Sequence, residues 1–140
     1  MPDEIQQKLV QFQILQKHIE KIGEHVELLN SQNGELEESK LALHELQEVK
    51  IGSDLLAPLA NGIFVKGTLA NTTTLLINVG ADTVVEKTFQ EVLEMLDEQQ
   101  KEITTKVSEA QQLLNHLHEK AQEIYQIVQE ENEEANEEIE

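Results

Sequence analysis

The chain has no cysteine and no tryptophan, and its ten positively charged residues are all lysine. Each absence excludes something. Without thiols there are no disulfides and no thiolate metal ligands, and cysteine usage says nothing about redox compartment. Aromatic residues make up 3% of the chain, one tyrosine and three phenylalanines, so no large globular core is expected. Without arginine the chain lacks the planar guanidinium fork that reads guanine and clamps phosphate. Proline occurs inside the chain only at Pro58.

What is present is leucine, isoleucine, valine, glutamate, glutamine and lysine, with a hydrophobic share of 39% in 140 residues. That composition suits long helices in a single domain. The net charge is −18, which disfavours nucleic acid or an anionic membrane as a direct partner. The charge is uneven: five lysines face ten acids in residues 1–50, one faces three in 51–86, and four face fifteen in 87–140. Residues 132–140 close the chain as an acidic tail, expected to be solvated and frayed. The opening Met1-Pro2-Asp3-Glu4 is acidic and lacks the apolar run of a secretory or transit signal. The most apolar stretch, Leu55 to Val65, is too short to span a bilayer. The expectation is a soluble, cytoplasmic protein.

Residues 5–50 and 87–131 carry a helical 3/4 repeat. In the first arm the walk is Phe12, Leu15, Ile19, Ile22, Val26, Leu29, Asn33, Leu36, Leu43, Leu46. In the second it is Phe89, Leu93, Leu96, Gln100, Ile103, Val107, Ala110, Leu114, Leu117, Ala121, Ile124, Val128. These are the narrow apolar seams of a coiled coil. Gly34 follows Asn33, but Leu29 to Leu36 spans seven residues, so the repeat crosses the pair in phase and no break is expected. Asn33 then reads as a polar, register-fixing seam residue. Asp97–Lys101 and Glu102–Lys106 stand at i,i+4 spacing and would each add a few tenths of a kcal/mol. As a helix each arm of ~45 residues would reach about 65–70 Å.

Between the arms, residues 51–86 switch to period two. Leu55 to Leu59 and Ile63 to Leu69 flank Asn61-Gly62, a dipeptide favoured in type I′ hairpin turns. Leu75 to Val79 and Val84 to Glu86 flank Gly80-Ala81-Asp82-Thr83. Two β-hairpins are expected, with the Pro58 strand at an edge because proline cannot donate to a ladder. Two matched arms joined by such an island must fold back as an antiparallel pair. The fold class is therefore α+β, mainly α: a long antiparallel two-helix coiled coil whose helices are joined by two β-hairpins. Four short apolar strands with no other core to cover them call for packing on another copy or on related chains.

No constellation suited to catalysis is present, and the chain is not expected to be an enzyme. His116 and His118 are two residues apart and point to nearly opposite sides of a helix. His18 and His25 exceed the i,i+4 span of helical metal pairs, and His44 stands alone. No G-x-x-x-x-G-K loop occurs, so neither metal, nucleotide nor other cofactor is expected. A different signal lies at the free ends of the arms, where apolar residues leave the seam. Ile5, Leu9, Val10 and Ile14 surround Phe12, and Tyr125 and Ile127 flank Ile124 and Val128. Antiparallel pairing brings these nine together, and exposed apolar surface of this kind marks a binding site or an aggregation liability.

The island carries a specific resemblance. Pro58-Leu59, Gly62-Ile63-Phe64-Val65-Lys66-Gly67, Val79-Gly80-Ala81 and Val84-Val85-Glu86-Lys87 resemble the hairpins of prefoldin alpha-type subunits, and the mirrored arms match that family's layout over essentially the whole chain. Two hairpins rather than one favour the alpha class. The resemblance implies an ATP-independent holding chaperone. Its partners would be a second alpha copy and four beta-type subunits, joined through their hairpins into a hexamer on an oligomeric β-barrel platform. The resemblance gives that assembly role to Leu55, Leu59, Ile63, Phe64, Val65, Leu69, Leu75, Ile77, Val79, Val84 and Val85. Coiled-coil ends would capture non-native polypeptides and pass them to a group II chaperonin. A structural coiled-coil adaptor, using the same hairpins but binding one dedicated folded partner, is the alternative; selective binding of a native protein would favour it.

Overall fold

A computed structural model describes residues 2–139, with side chains from 3 to 137. Along the chain, helix α1 (Pro2–Glu48) is followed by strands β1 (Asp54–Ala60), β2 (Ile63–Thr68), β3 (Thr74–Asn78) and β4 (Val84–Thr88). Helix α2 (Phe89–Ile139) closes the series. The strands form two separate two-stranded antiparallel sheets, β1 with β2 and β3 with β4. The expected order of two long helices with two hairpins between them is the order found. Helix α1 runs through Asn33-Gly34 without a break, as the unbroken heptad phase requires. Helix α2 continues through the glutamate run, so the stretch from 132 to Ile139, expected to fray, is helical here. Glu140 lies outside the described residues.

The chain divides into two compact units, residues 1–32 with 103–140, and residues 33–102. In the first, the buried apolar residues are Val26 and Leu29 of α1 and Leu117, Ala121 and Val128 of α2. All five lie on the 3/4 walks. Full burial of a valine or leucine stabilises by about 1.5–3 kcal/mol, and these layers come nearest to it in that unit. Pairing is antiparallel: Lys8 meets Glu131, and Phe12, further along α1, meets Tyr125, earlier on α2.

In the second unit the buried apolar residues are Phe89, Val92 and Leu96, in the first two turns of α2. Glu37 pairs with Gln100, Lys40 with Asp97, and the His44 ring stands edge-on to Phe89 at 6.3 Å. As numbers rise on α1 they fall on α2, so this pairing is antiparallel too. Helix α2 is started by Thr88, whose Oγ1 accepts from the Glu91 amide at 3.2 Å. Thr88-Phe89-Gln90-Glu91 thus has the T-x-x-E order of a capping box. The Phe89 amide, an orphan donor of the first turn, donates to the Thr73 carbonyl at 3.2 Å. Asn71 Oδ1 accepts from both the Thr73 amide and its hydroxyl, which shapes the β2–β3 loop.

The turns correct one expectation. A type I′ turn needs positive φ at both central residues. At Asn61-Gly62 only Gly62 is positive, at 75°. The register there slips between Pro58 and Ala60, a β-bulge that absorbs Leu59. The two positive residues stand instead at Ala81 (49°) and Asp82 (58°). There the Thr83 amide donates to the Gly80 carbonyl at 2.9 Å, closing a four-residue turn. The bulge changes what the first turn must do, and the tighter primed turn falls to the second hairpin.

Candidate functional site

Period-two alternation and the observed register sort the hairpin side chains onto faces. In β1–β2, Leu56, Pro58, Phe64 and Lys66 share one face, and Leu55, Ala57, Val65 and Gly67 share the other. Both faces are mostly apolar, and every residue of β1 is exposed. Gly67 allows one close approach: a Cβ there would stand 3.3 Å from Leu55 Cδ1, so Leu55 lies across its strand partner. In β3–β4, Leu75, Ile77 and Val85 are half-buried on one face, while Leu76 and Val84 are exposed on the other. A two-stranded sheet is marginal by itself in water, and each of these leaves its outer edges unpaired.

Of the expected assembly residues, Leu55, Leu59, Ile63, Phe64, Val65, Val79 and Val84 are exposed, and Leu69, Leu75, Ile77 and Val85 are half-buried. Two residues outside that set are more exposed than most within it: Leu56 at 63% and Leu76 at 75%. Their sequence signal was the doubled leucine, Leu55-Leu56 and Leu75-Leu76. In a strand with apolar residues on both faces, alternation by itself does not say which member of such a pair is left exposed.

The nine residues at the free ends of the helices divide in two. Leu9, Val10, Ile14, Tyr125 and Ile127 are exposed. Ile5, Phe12 and Ile124 are half-buried, and Val128 is buried at 8% exposure. The reason is helical phase, since Phe12, Ile124 and Val128 stand on the seam walks and face the partner helix. Val128 is therefore a seam residue in this structure, and the exposed five form the accessible apolar surface. Phe12 and Tyr125 join the two groups, their ring centroids 6.0 Å apart.

Three charged residues escape a reading based on hydropathy. Lys8, Lys40 and Glu131 continue the 3/4 walks at seam positions, and each is half-buried. Lys40 sits between Leu36 and Leu43, where it makes an ion pair with Asp97 and donates to Gln100 Oε1. The Gln100 amide in turn donates to Glu37 Oε2 at 2.9 Å. Asp97, expected to serve an i,i+4 pair on its own helix, thus reaches across to α1. Lys8 Nζ lies 3.6 Å from Glu131 Oε1. Glu131 Oε2 and Asn33 Oδ1 are buried without a hydrogen-bond partner. The signal was the spacing itself: a 3/4 walk that skips from 36 to 43 leaves position 40 to be filled.

The five histidines are exposed. Among the described residues no cluster of three or more histidine or acidic side chains is placed to hold a metal. No helix among them is long and apolar enough to cross a membrane.

Comparison with known proteins agrees with this architecture. The prefoldin family model, described as Prefoldin subunit, matches residues 3–134. "Prefoldin subunit alpha" of Pyrococcus horikoshii is 24% identical over 91% of this chain and 86% of its own length. "Prefoldin subunit alpha" of Methanopyrus kandleri is 30% identical over 79% of this chain and 71% of its own. A solved structure, the cryo-EM structure of filamentous PFD from Methanocaldococcus jannaschii, shares the fold. It superposes with a TM-score of 0.61 at 18% identity, covering 89% of this chain and 98% of that one. The chain belongs to the prefoldin family, whose members are chaperone subunits and not enzymes. Within that family it is of the alpha type.

Proposed function

We propose that the chain is one subunit of an ATP-independent holding chaperone, with residues 51–86 for assembly and the two helices for capture. The observation that carries this reading is the exposed apolar set Leu9, Val10, Ile14, Tyr125 and Ile127 where α1 begins and α2 ends. Exposed apolar side chains gathered at one end of a charged helical protein are costly unless they bind something, and non-native chains offer matching apolar segments. The hairpins, apolar on both faces of β1–β2, support assembly with a second alpha copy and four beta-type subunits into an alpha2beta4 hexamer. Captured chains then pass to a group II chaperonin, in the cytoplasm.

The test is a light-scattering assay in which a chemically denatured protein is diluted into the chain assembled with a beta-type subunit, without nucleotide. Suppressed aggregation is expected, and its loss is expected when Val10, Ile14 and Tyr125 are changed to serine. Full aggregation with the unaltered complex would overturn the proposal. Selective capture of one native protein, with no affinity for unfolded chains, would replace it with an adaptor role.

A further inference from the structure

The exposed apolar residues at the free ends stand largely among glutamines. On α1, Val10 has Gln6, Gln7 and Gln13 one helical turn away, and Leu9 has Gln6 and Gln13. On α2, Tyr125 has Gln122 and Gln129 at those spacings. Charge returns at Lys17, Glu123 and Glu130, and residues 9–16 and 124–129 carry none. Leu41, exposed in the other unit, has Glu37, Glu38 and Glu45 around it instead. Val10 also shares a surface depression with Asp3, Gln6, Gln7 and Gln11. Gln129 is committed, its amide donating to the Tyr125 hydroxyl at 3.0 Å. Gln7, Gln11, Gln13 and Gln126 are exposed, and among the described residues their carboxamides have no partner.

A carboxamide offers N–H donors and a carbonyl acceptor, the same two groups that a peptide unit carries. A folded protein has paired its backbone groups, whereas a non-native chain has not. When an apolar segment settles on Val10, its peptide groups leave water and are costly unless they find partners. A carboxylate beside Val10 could only accept, and any charge there would be expensive to desolvate. Glutamine avoids both penalties.

We propose that Gln7, Gln11, Gln13 and Gln126 bind the backbone of the held chain. Their carboxamides pair with the N–H and C=O groups of an extended segment whose apolar side chains rest on Val10, Ile14, Tyr125 and Ile127. Selection is then for unpaired backbone beside apolar side chains, whatever the sequence of the segment. The inference rests on the holding function proposed above and gives backbone recognition to residues outside its apolar set.

The experiment uses two probes: a peptide of alternating leucine and serine, and the same peptide with every serine backbone nitrogen methylated. Methylation removes backbone donors and leaves the side chains in place. Both carry a photo-crosslinker, and labelling of residues 5–16 and 124–129 is titrated in the chain assembled with a beta-type subunit. The methylated peptide is expected to need about tenfold more for half-maximal labelling, the worth of one or two net hydrogen bonds. The variant Gln7→Met/Gln11→Met/Gln13→Met/Gln126→Met keeps side-chain length and helix propensity but has no carboxamides at these positions. In it the gap between the peptides is expected to close to under about twofold, since no amide pairing is left to lose. Equal titration of the two peptides by the unaltered complex would overturn the proposal. So would a tenfold gap that survives in the methionine variant, because the gap would then come from the peptide alone. If neither peptide labels these residues, the holding function falls together with the proposal, which tells that failure from the other two.

Discussion

The Phe12 ring on α1 stands 6.0 Å from the Tyr125 ring on α2, the two planes tilted by 36°. Phe12 is half-buried on the seam walk, while Tyr125, one residue beyond Ile124, is 52% exposed. The Gln129 amide donates to the Tyr125 hydroxyl at 3.0 Å, which steadies the ring on the outer surface of α2. The pair marks the boundary between what holds the helices together and what faces outward. Phe12→Ser should therefore cost about 1–3 kcal/mol of stability, the range for removing part of a buried aromatic. Tyr125→Ser should cost under about 1 kcal/mol, as surface changes usually do. Denaturant titration of the assembled complex checks the split, and equal costs would contradict the division drawn here.

Leu56 and Leu76 carry the hairpin prediction. Each is among the most exposed large apolar residues of the chain, and neither supports the fold of the subunit around it. Leu56→Glu and Leu76→Glu should leave helical content unchanged while preventing association, since a charge in an apolar interface is expensive to desolvate. Circular dichroism and sedimentation measure the two properties separately. Normal assembly by both variants would place the interface elsewhere on the hairpins.

Lys40 is predicted to act through its partners. With Lys40→Ala, Asp97 and Gln100 lose their shared donor inside the seam, and the unit spanning residues 33–102 should lose about 1 kcal/mol. Asp97 is half exposed, with 51% of its side chain accessible, so the Lys40–Asp97 coupling should lie within the roughly 0.2–1 kcal/mol of solvated pairs. A double-mutant cycle with Asp97→Ala reads it. Raising the salt concentration should shrink that coupling and leave the Gln100 contribution in place.

The second hairpin carries removable strain. Ala81 adopts φ 49° and Asp82 φ 58°, a left-handed conformation that costs an L-residue without a helpful side chain about 1–2 kcal/mol. Ala81→Asn/Asp82→Gly installs the dipeptide that type I′ turns favour and should stabilise by about 1 kcal/mol. Thermal melting is the measure. A destabilised variant would mean that the turn is not of this type.

The helical seams were legible because period and burial coincide. Residues such as Val26, Leu29, Leu117 and Ala121 are apolar at 3/4 spacing, and nothing but a partner helix can cover such a stripe. The two hairpins were legible from alternation and turn residues for the same local reason. Lys8, Lys40 and Glu131 were not, because a charged side chain on a seam position has no hydropathy signal until its partner on the other helix is known. The primed turn expected at Asn61-Gly62 is absent because that dipeptide satisfies only the local preference, while the bulge at Leu59, a property of strand pairing, changes the geometry the turn must close.

By itself, then, the sequence determined the order of elements, the helical phase and the apolar character of the hairpins, since each follows from covalent spacing along one chain. The tertiary structure alone decided which apolar residues at the free ends lie inside the seam, which charges pair across it, and which leucines the hairpins leave bare. Those are outcomes of register between segments far apart in the chain, as Lys8 is from Glu131, where an offset of a single residue turns a buried side chain outward.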